Sequence, residues 1–326
     1  LAQTAFVTGA TGFVGLNLVQ DLLAKGWDVT ALHRANSDLS LLSRFNATRV
    51  IGTLTDAAQI HAAIPAGTDT VFHVAGNTNM WRQKNAEQTR DNVDGTRNVV
   101  EAAIQRGVRC LVVTSSISAY GAVSGLVTEQ TPSLAAKSWV NYDRTKYEAQ
   151  EIARAATARG LHVVIMQPGA IIGAYDIGTW SRLFPLVRDN KLPGIPAANL
   201  SFADVREVTA AHIAAAGRGE NGGSYLLAGT AGTMLELVQN IAMLLGKPKP
   251  TKATPAWLLK AIAQIADAAS TFTHKPPVIT PEMAAGLGGN MTVDCTKAKT
   301  QLGYQTLPLA GMVRECFDWL QAENRI

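Results

Sequence analysis

Tyr142-Asp143-Arg144-Thr145-Lys146 sets a phenol and an ammonium four positions apart, a spacing that puts both on one face of a helix. A phenol of pKa about 10 moves protons poorly at neutral pH, but an ammonium within a few ångströms favours phenolate, and one pKa unit corresponds to about 1.4 kcal/mol. Lys146 is therefore expected to tune Tyr142 as a general acid-base while its remaining donors hold ribose hydroxyls. Upstream, Leu111-Val112-Val113 runs into Thr114-Ser115-Ser116, a strand end rich in hydroxyls that can hydrogen-bond a substrate carbonyl.

A second constellation lies at the start of the chain, where Thr8-Gly9-Ala10-Thr11-Gly12-Phe13-Val14-Gly15 places three glycines at a strand-to-helix turn. Gly9 can take the turn, Gly12 lets the backbone approach a pyrophosphate and Gly15 lets the helix lie close to the strand. Backbone N–H groups through Thr11, Phe13 and Val14 then face the anion. The spacing is GxxGxxG, one residue longer than GxGxxG. A carboxylate at the end of the second strand would hold the adenosine ribose of NAD; this chain has His33-Arg34 there, so NADPH is expected, with Arg34 on the 2′-phosphate and Asn36 or Ser37 as secondary donors.

These residues need a scaffold. Thr4–Thr8, Asp28–His33, 48–52, 70–74, 109–114 and 161–167 read as strands and alternate with helical patterns such as 13–25 and 85–106, each closed by a glycine. Strands such as VFHVA and CLVVT are apolar on consecutive positions, as when helices cover both faces of a parallel sheet. The expectation is a doubly wound α/β sheet of Rossmann type, residues 1–167 with 200–230, where a strand near Ser224–Leu227 returns. Ten of the thirteen prolines fall after Pro168 and break the alternation, which predicts a smaller, mostly helical substrate lobe, 168–199 with 231–326.

Composition narrows the classes. Of 326 residues, 47% are hydrophobic and 17% charged, which excludes a disordered or collagen-like chain. Basic residues exceed acidic ones by 29 to 25 without a long run, too little and too scattered for nucleic acid. Cys110, Cys295 and Cys316 are odd in number and far apart, so neither a disulfide framework nor a zinc site is expected, and a reducing, cytoplasmic setting fits. The sequence LAQTAFVTGATGFVG offers no signal-peptide pattern. The apolar stretch 257–269 carries Lys260, Gln264 and Asp267 and is too short to span a bilayer; it reads as core, lid or membrane-surface helix. No histidine-carboxylate grouping suggests a metal, and His61, His162 and His212 read as surface or packing residues.

TGATGFVG, HVAGN (His73 to Asn77), NVDGT (Asn92 to Thr96), TSSISAYG (Thr114 to Gly121), YDRTK and QPGAIIG (Gln167 to Gly173), in this order, resemble the extended short-chain dehydrogenase/reductases. FADVREV (Phe202 to Val208), DCTKA (Asp294 to Ala298) and LGY (Leu302 to Tyr304) carry the resemblance along nearly the whole chain. Within that family it is most similar to dihydroflavonol 4-reductase-like reductases and their bacterial relatives, including hopanoid-associated epimerase-like proteins. The resemblance implies Ser116 as catalytic serine, with Ser115 as the lesser candidate, Tyr142 as acid-base and Lys146 as its partner. It implies that Val74, Ala75, Gly76 and Thr114 pass beside the cofactor and that Pro168, Gly169 and Ile171 abut the nicotinamide. Asn92 would fix the catalytic centre or cap a helix, and homodimers would form through helices 85–106 and 142–159. Two departures stand out: Thr53-Leu54 where the family often has Asp-Leu near the adenine, and HVAGN where HxAA is common.

Ile117 and Ser118 stand where sugar-nucleotide dehydratases carry an acidic pair, and the acidic residue typical of epimerases and hydroxysteroid dehydrogenases is missing at Arg34. Reduction of a small-molecule carbonyl by NADPH is the expected reaction, on a hydrophobic or aromatic aldehyde or ketone. Asn77, Met80 and Trp81 after the fourth strand, with Tyr175, Trp180 and Phe184 after the sixth, read either as pocket wall or as core packing between lobes. A nucleotide-sugar epimerase or hydroxysteroid-type dehydrogenase and a non-catalytic NADP-binding redox sensor are the competing readings.

Overall fold

The computed structural model describes residues 2–273, 277, 280–286 and 291–326. In chain order the first half runs β1 (Thr4–Thr8), α1 (Phe13–Ala24), β2 (Asp28–His33), β3 (Thr48–Ile51), α2 (Ala57–Ala63), β4 (Thr70–His73), α3 (Asn85–Thr89), α4 (Gly95–Gln105) and β5 (Cys110–Thr114). It continues with β6 (Gly125–Val127), α5 (Asn141–Ala155), β7 (His162–Pro168), β8 (Ala170–Ile172), α6 (Leu183–Arg188), β9 (Asn199–Asp204), α7 (Val205–Arg218) and β10 (Ser224–Leu227). The last part holds β11 (Ala231–Thr233), α8 (Met234–Leu244), α9 (Ala256–Thr273), α10 (Pro281–Gly286), β12 (Met291–Val293), α11 (Thr296–Leu302) and α12 (Leu309–Ala322).

Seven parallel strands form the main sheet in the order β10-β7-β5-β4-β1-β2-β3. The order reverses between β1 and β4, and the crevice beyond the carboxyl ends of those two strands is where open α/β sheets take ligands. Apolar strands explain the layers: β5 is buried along its whole length, and Phe6 and Phe72 are fully buried, each contributing about 1.5–3 kcal/mol relative to exposure. One face packs on Leu16, Leu18 and Val208, the other on Val99, Val100 and Ala153.

The sequence rhythm did not anticipate two further sheets, β11-β9-β8 and a parallel β12-β6 pair. Their strands are short and their partners distant in sequence. A separate apolar cluster joins Phe184, Phe202, Leu237, Ile241, Met312 and Phe317 from α6, β9, α8 and α12. The predicted helix 85–106 is α3 and α4 joined by one π-helical turn, Arg90–Asp94.

Candidate functional site

The crevice begins at the glycine turn. Gly9 has φ +69°, and a Cβ there would lie 2.8 Å from Ala75 Cα, so the turn presses against the segment that follows β4. At Gly15 a Cβ would come within 2.0 Å of the Gly9 carbonyl oxygen, so only glycine lets α1 start this close to the turn. Gly12 occupies the N-cap with no side-chain cap, and the first turn of α1 carries no acidic residue. The N–H groups of Phe13, Val14 and Gly15 belong to that turn and have no acceptor within the helix. This uncapped, acid-free helix start against a backbone-tight turn suits a pyrophosphate, and a dinucleotide fits the crevice.

At the end of β2, Arg34 opens a turn in which Ser37 N–H donates to the Arg34 carbonyl at 3.0 Å and Ser37 Oγ accepts from Arg34 N–H at 3.2 Å. Arg34 and Asn36 are exposed, and the Arg34 charge is felt by Glu87 of α3, whose carboxyl is held low chiefly by Lys84. Thr53 and Leu54 follow β3: Thr53 N–H donates to Gln59 Oε1 at 3.1 Å, and the Leu54 side chain lies against Gly95.

The hydroxyl-rich end of β5 separates into three roles. Thr114 Oγ1 turns to His212 Nε2 at 2.9 Å, while the Thr114 carbonyl accepts from Lys146 Nζ at 3.0 Å. Ser115 is buried and donates to Gln150 Oε1 at 2.8 Å, away from the phenol. Ser116 begins a tight turn, accepts from Ser118 N–H at 3.1 Å and lies near enough to the Tyr142 phenol to pull its pKa down. Of the two candidate serines, Ser116 alone meets Tyr142.

Tyr142 and Lys146 lie on α5, a helix with Asp143 in its first turn and Arg154 in its last, both favourable to the helix dipole. Both functional side chains are buried, at 9% and 6% exposure. Their electrostatics differ from the expectation that the ammonium draws the phenol towards phenolate. Burial pushes Tyr142 up to about 12, opposed by the Ser116 hydrogen bond and aided by Asp143. Lys146 Nζ sits 6.0 Å from the ring centroid and is turned to the Thr114 carbonyl, and burial lowers its own pKa to about 8. Loss of water around a would-be phenolate outweighs an ammonium at that distance, so the phenol is protonated at neutral pH.

Asn92 caps no helix. From within the π-turn, a feature common at functional sites, its Oδ1 accepts from Asn77 N–H at 2.7 Å, and its Nδ2 donates to the Asn77 carbonyl at 3.0 Å and to Thr145 Oγ1 at 3.1 Å. Asn92 thus ties the segment beside the cradle to the helix bearing Tyr142 and Lys146. His73, buried at the end of β4, is a second tie. Thr96 Oγ1 donates to the Asn92 carbonyl at 2.6 Å, so it accepts from His73 Nε2–H at 3.0 Å; His73 Nδ1 then accepts from the Thr8 hydroxyl at 2.8 Å, whose oxygen accepts Ala75 N–H at 3.2 Å. Burial, then the Lys146 charge, lowers His73 to about 3 and keeps the imidazole neutral. Sequence reasoning missed His73, Thr96 and Thr145; their one signal was polar residues beside the glycine-rich and tyrosine motifs.

The segments expected on the cofactor side take two positions. Gly76 lies where a Cβ would be 3.0 Å from Lys146 Nζ, and Val74 and Ala75 line the path from β4. Beyond β7, Pro168 leads to Gly169, whose backbone crowds the Ser201 carbonyl of β9, and to Ile171 of β8. A hollow of about 330 Å³ beside Ser201 is lined by Asn199, Leu200, Ala231, Met291 and Thr292, none of them anticipated from the sequence.

The aromatic and polar residues read as pocket wall or as core packing make the following contacts. Tyr175 packs against Phe45 and Trp319, and its hydroxyl donates to Gln20 Oε1 at 2.9 Å. Trp180 meets Phe202 edge-on and Phe184 stacks on Phe317 within the second apolar cluster. Phe184 is buried in the core, whereas Tyr175 and Trp180 are half-buried against the two apolar clusters. Asn77 donates through Nδ2 to Asp91 Oδ2 at 2.9 Å, Met80 is half-buried, and Trp81 is buried with its indole N–H on Ser270 Oγ at 3.2 Å. His212 is buried, with Nδ1 at 2.7 Å from the Val208 carbonyl. Cys110, Cys295 and Cys316 are buried and free. Among the described residues, no group of three or more His, Cys, Asp or Glu is placed to hold a metal, and no helix is long and apolar enough to cross a membrane.

Residues 5–228 match the NAD-dependent epimerase/dehydratase family. The chain is similar to a putative dihydroflavonol 4-reductase from Synechocystis sp., at 30% identity over 98% of this chain and 95% of that protein. It is similar to a 2-alkyl-3-oxoalkanoate reductase from Shewanella oneidensis, at 28% identity over 93% of this chain and 82% of that protein. In structure it resembles a nucleoside-diphosphate-sugar epimerase from Pseudomonas aeruginosa, with TM-score 0.79, 25% identity and 100% of both chains covered.

Proposed function

The chain belongs to the NAD-dependent epimerase/dehydratase family, and from that membership we propose that it is an NADPH-dependent reductase of hydrophobic or aromatic aldehydes and ketones. It is an oxidoreductase-type enzyme of the extended short-chain dehydrogenase/reductase kind. The observation that carries the finer reading is the buried, protonated Tyr142 with Ser116 beside it.

When bound, the dinucleotide supplies the hydride that adds to the carbonyl carbon. Ser116 Oγ holds the carbonyl oxygen, and Tyr142 Oη gives that oxygen its proton as the carbon–oxygen double bond opens, leaving an alcohol and a phenolate. A phenol raised by burial suits this direction, since it carries a proton throughout the neutral range. The ammonium of Lys146 then faces a charge that did not exist before, and its attraction favours the product side of the transfer. Asn92 keeps the participants in register. Arg34, with no carboxylate beside it on β2, is assigned to the 2′-phosphate. Similarity to a 2-alkyl-3-oxoalkanoate reductase supports a ketone with apolar arms.

A carbonyl panel tested by loss of NADPH absorbance probes this directly: turnover of apolar ketones or aldehydes is expected, and none across the panel would refute it. The structural likeness to a nucleotide-sugar epimerase favours a second reading. An epimerase would co-purify with tightly held oxidised cofactor and bind uridine nucleotides, whereas the reductase is expected to release its dinucleotide.

A further inference from the structure

Trp257, Leu258 and Ile265 of α9 are 71%, 37% and 71% exposed. Helical geometry groups them with Ala261, Gln264 and Ala268 on one side, while Leu259, Ala263 and Ser270 fall on the other and are buried. The inner side packs with Met283 of α10. Among the described residues, the solvent side of α9 is thus apolar except for Gln264, the reverse of what a water-facing helix requires.

Positive charge adjoins this face. Residues 247–260 hold four lysines and no acidic residue, and Lys249 and Lys252 are exposed. Thr254 N–H donates to the Ile195 carbonyl at 2.7 Å and Ile195 N–H donates to Thr254 Oγ1 at 2.9 Å, which brings the segment after Arg188 and Lys191 alongside. Asp189 is already engaged there, 2.9 Å from Arg188 and 3.8 Å from Lys191. A second copy of the chain docked here two-fold would set lysines against lysines. An anionic lipid surface answers both the charge and the apolar side chains.

We propose that α9 and the basic loop before it dock on an anionic bilayer, with Trp257, Leu258 and Ile265 entering the boundary between headgroups and acyl chains while Lys249 and Lys252 meet lipid phosphates. The helix lies in the interface and does not span it. On its inner side Ser270 accepts the indole N–H of Trp81, in the segment that leads on from Val74 after β4. Docking concerns the surface alone and stands whether or not the substrate is apolar.

Flotation of the whole protein with vesicles rich in phosphatidylglycerol, against pure phosphatidylcholine, tests it. Co-flotation with the anionic vesicles, weakened by raised salt, is expected. Brominated phosphatidylglycerol should quench tryptophan emission, and Trp257→Phe should abolish most of that quenching while still binding. Lys249→Gln and Lys252→Gln should each weaken partitioning about fivefold, and Trp257→Ser with Ile265→Ser at least about tenfold. Failure of the unaltered protein to float with anionic vesicles, absence of quenching, or binding indifferent to both sets of substitutions would overturn the proposal. The substituted side chains face solvent, and an unchanged melting temperature verifies that each variant folds.

Discussion

The crevice between β1 and β4 and the outer lobe around α9 solve opposite problems. In the crevice, polar side chains are buried and each is spoken for: Thr8, His73, Thr96, Asn92 and Thr145 form one connected hydrogen-bonded chain between the glycine turn and α5. In the outer lobe, apolar side chains are left in water on α9. A reaction centre must hold its groups in one geometry, and satisfied buried polar networks do that. A surface meant for a partner keeps its unsatisfied face until the partner arrives. The contrast makes substitutions in the crevice expensive in rate and those at the lobe junction expensive mainly in stability.

The sharpest way to break this contrast is Tyr142→Phe, which removes one oxygen from the crevice. Turnover should fall by about 10²–10⁴ with dinucleotide binding retained; near-normal turnover would mean that another group delivers the proton. Asn92→Ala should come next, leaving Asn77 N–H without its partner and loosening Thr145. A fall in kcat of about tenfold or more with KM little changed is expected, since each orphaned buried group costs about 1–3 kcal/mol, and Asn92→Asp should recover part of it. Arg34→Ala should lower the NADPH-to-NADH preference in kcat/KM by about 10–100-fold and leave kcat with saturating cofactor nearly intact.

The pH profile sharpens the picture further. Lys146, lowered to about 8 by burial, is an ammonium at pH 7 and neutral above that value, so kcat should decline as pH rises through about 8. Its folded pKa lies below its unfolded one, so its burial costs stability at pH 7 and returns it as pH rises from about 8 towards 10.5. Activity and stability should therefore move in opposite directions over that window. The smallest effect belongs to Tyr175→Phe, which loses only the hydrogen bond to Gln20. Kinetic constants should be unchanged and the melting temperature should drop slightly; a several-fold change in KM would return Tyr175 to the substrate wall.

The crevice half was legible because its physics is local. Buried parallel strands are apolar runs, so β1, β2 and β10 appear within their observed bounds, and glycines at a strand-to-helix turn announce close backbone approach. What stayed hidden depends on distant pairing. Strand β12 has three residues and pairs with Gly125–Val127, more than 160 positions earlier, and no local pattern encodes that choice. The π-turn at 90–94 looks like ordinary helix in sequence, although it sets the angle from which Asn92 reaches Asn77. Tyr175 and Trp180 were ambiguous for the opposite reason: an aromatic ring after a strand fills a core junction as readily as it walls a pocket. The Tyr142–Lys146 spacing was visible, but the balance between burial and charge that fixes the proton was not.

The imidazole of His73 works in one direction only. Both ring nitrogens are committed, one giving and one receiving, so a second proton would set Nδ1–H against the Thr8 hydroxyl hydrogen and make that hydroxyl turn from the ring, disturbing the chain that ends at Ala75 N–H on the lip of the cradle. Because that proton binds readily in the unfolded chain at about 6.5 but only near 3 in the folded one, acid draws the fold apart through this residue as pH falls below 6.5. An acid-treated enzyme should therefore lose its grip on the dinucleotide before its sheet melts, the lock failing ahead of the door.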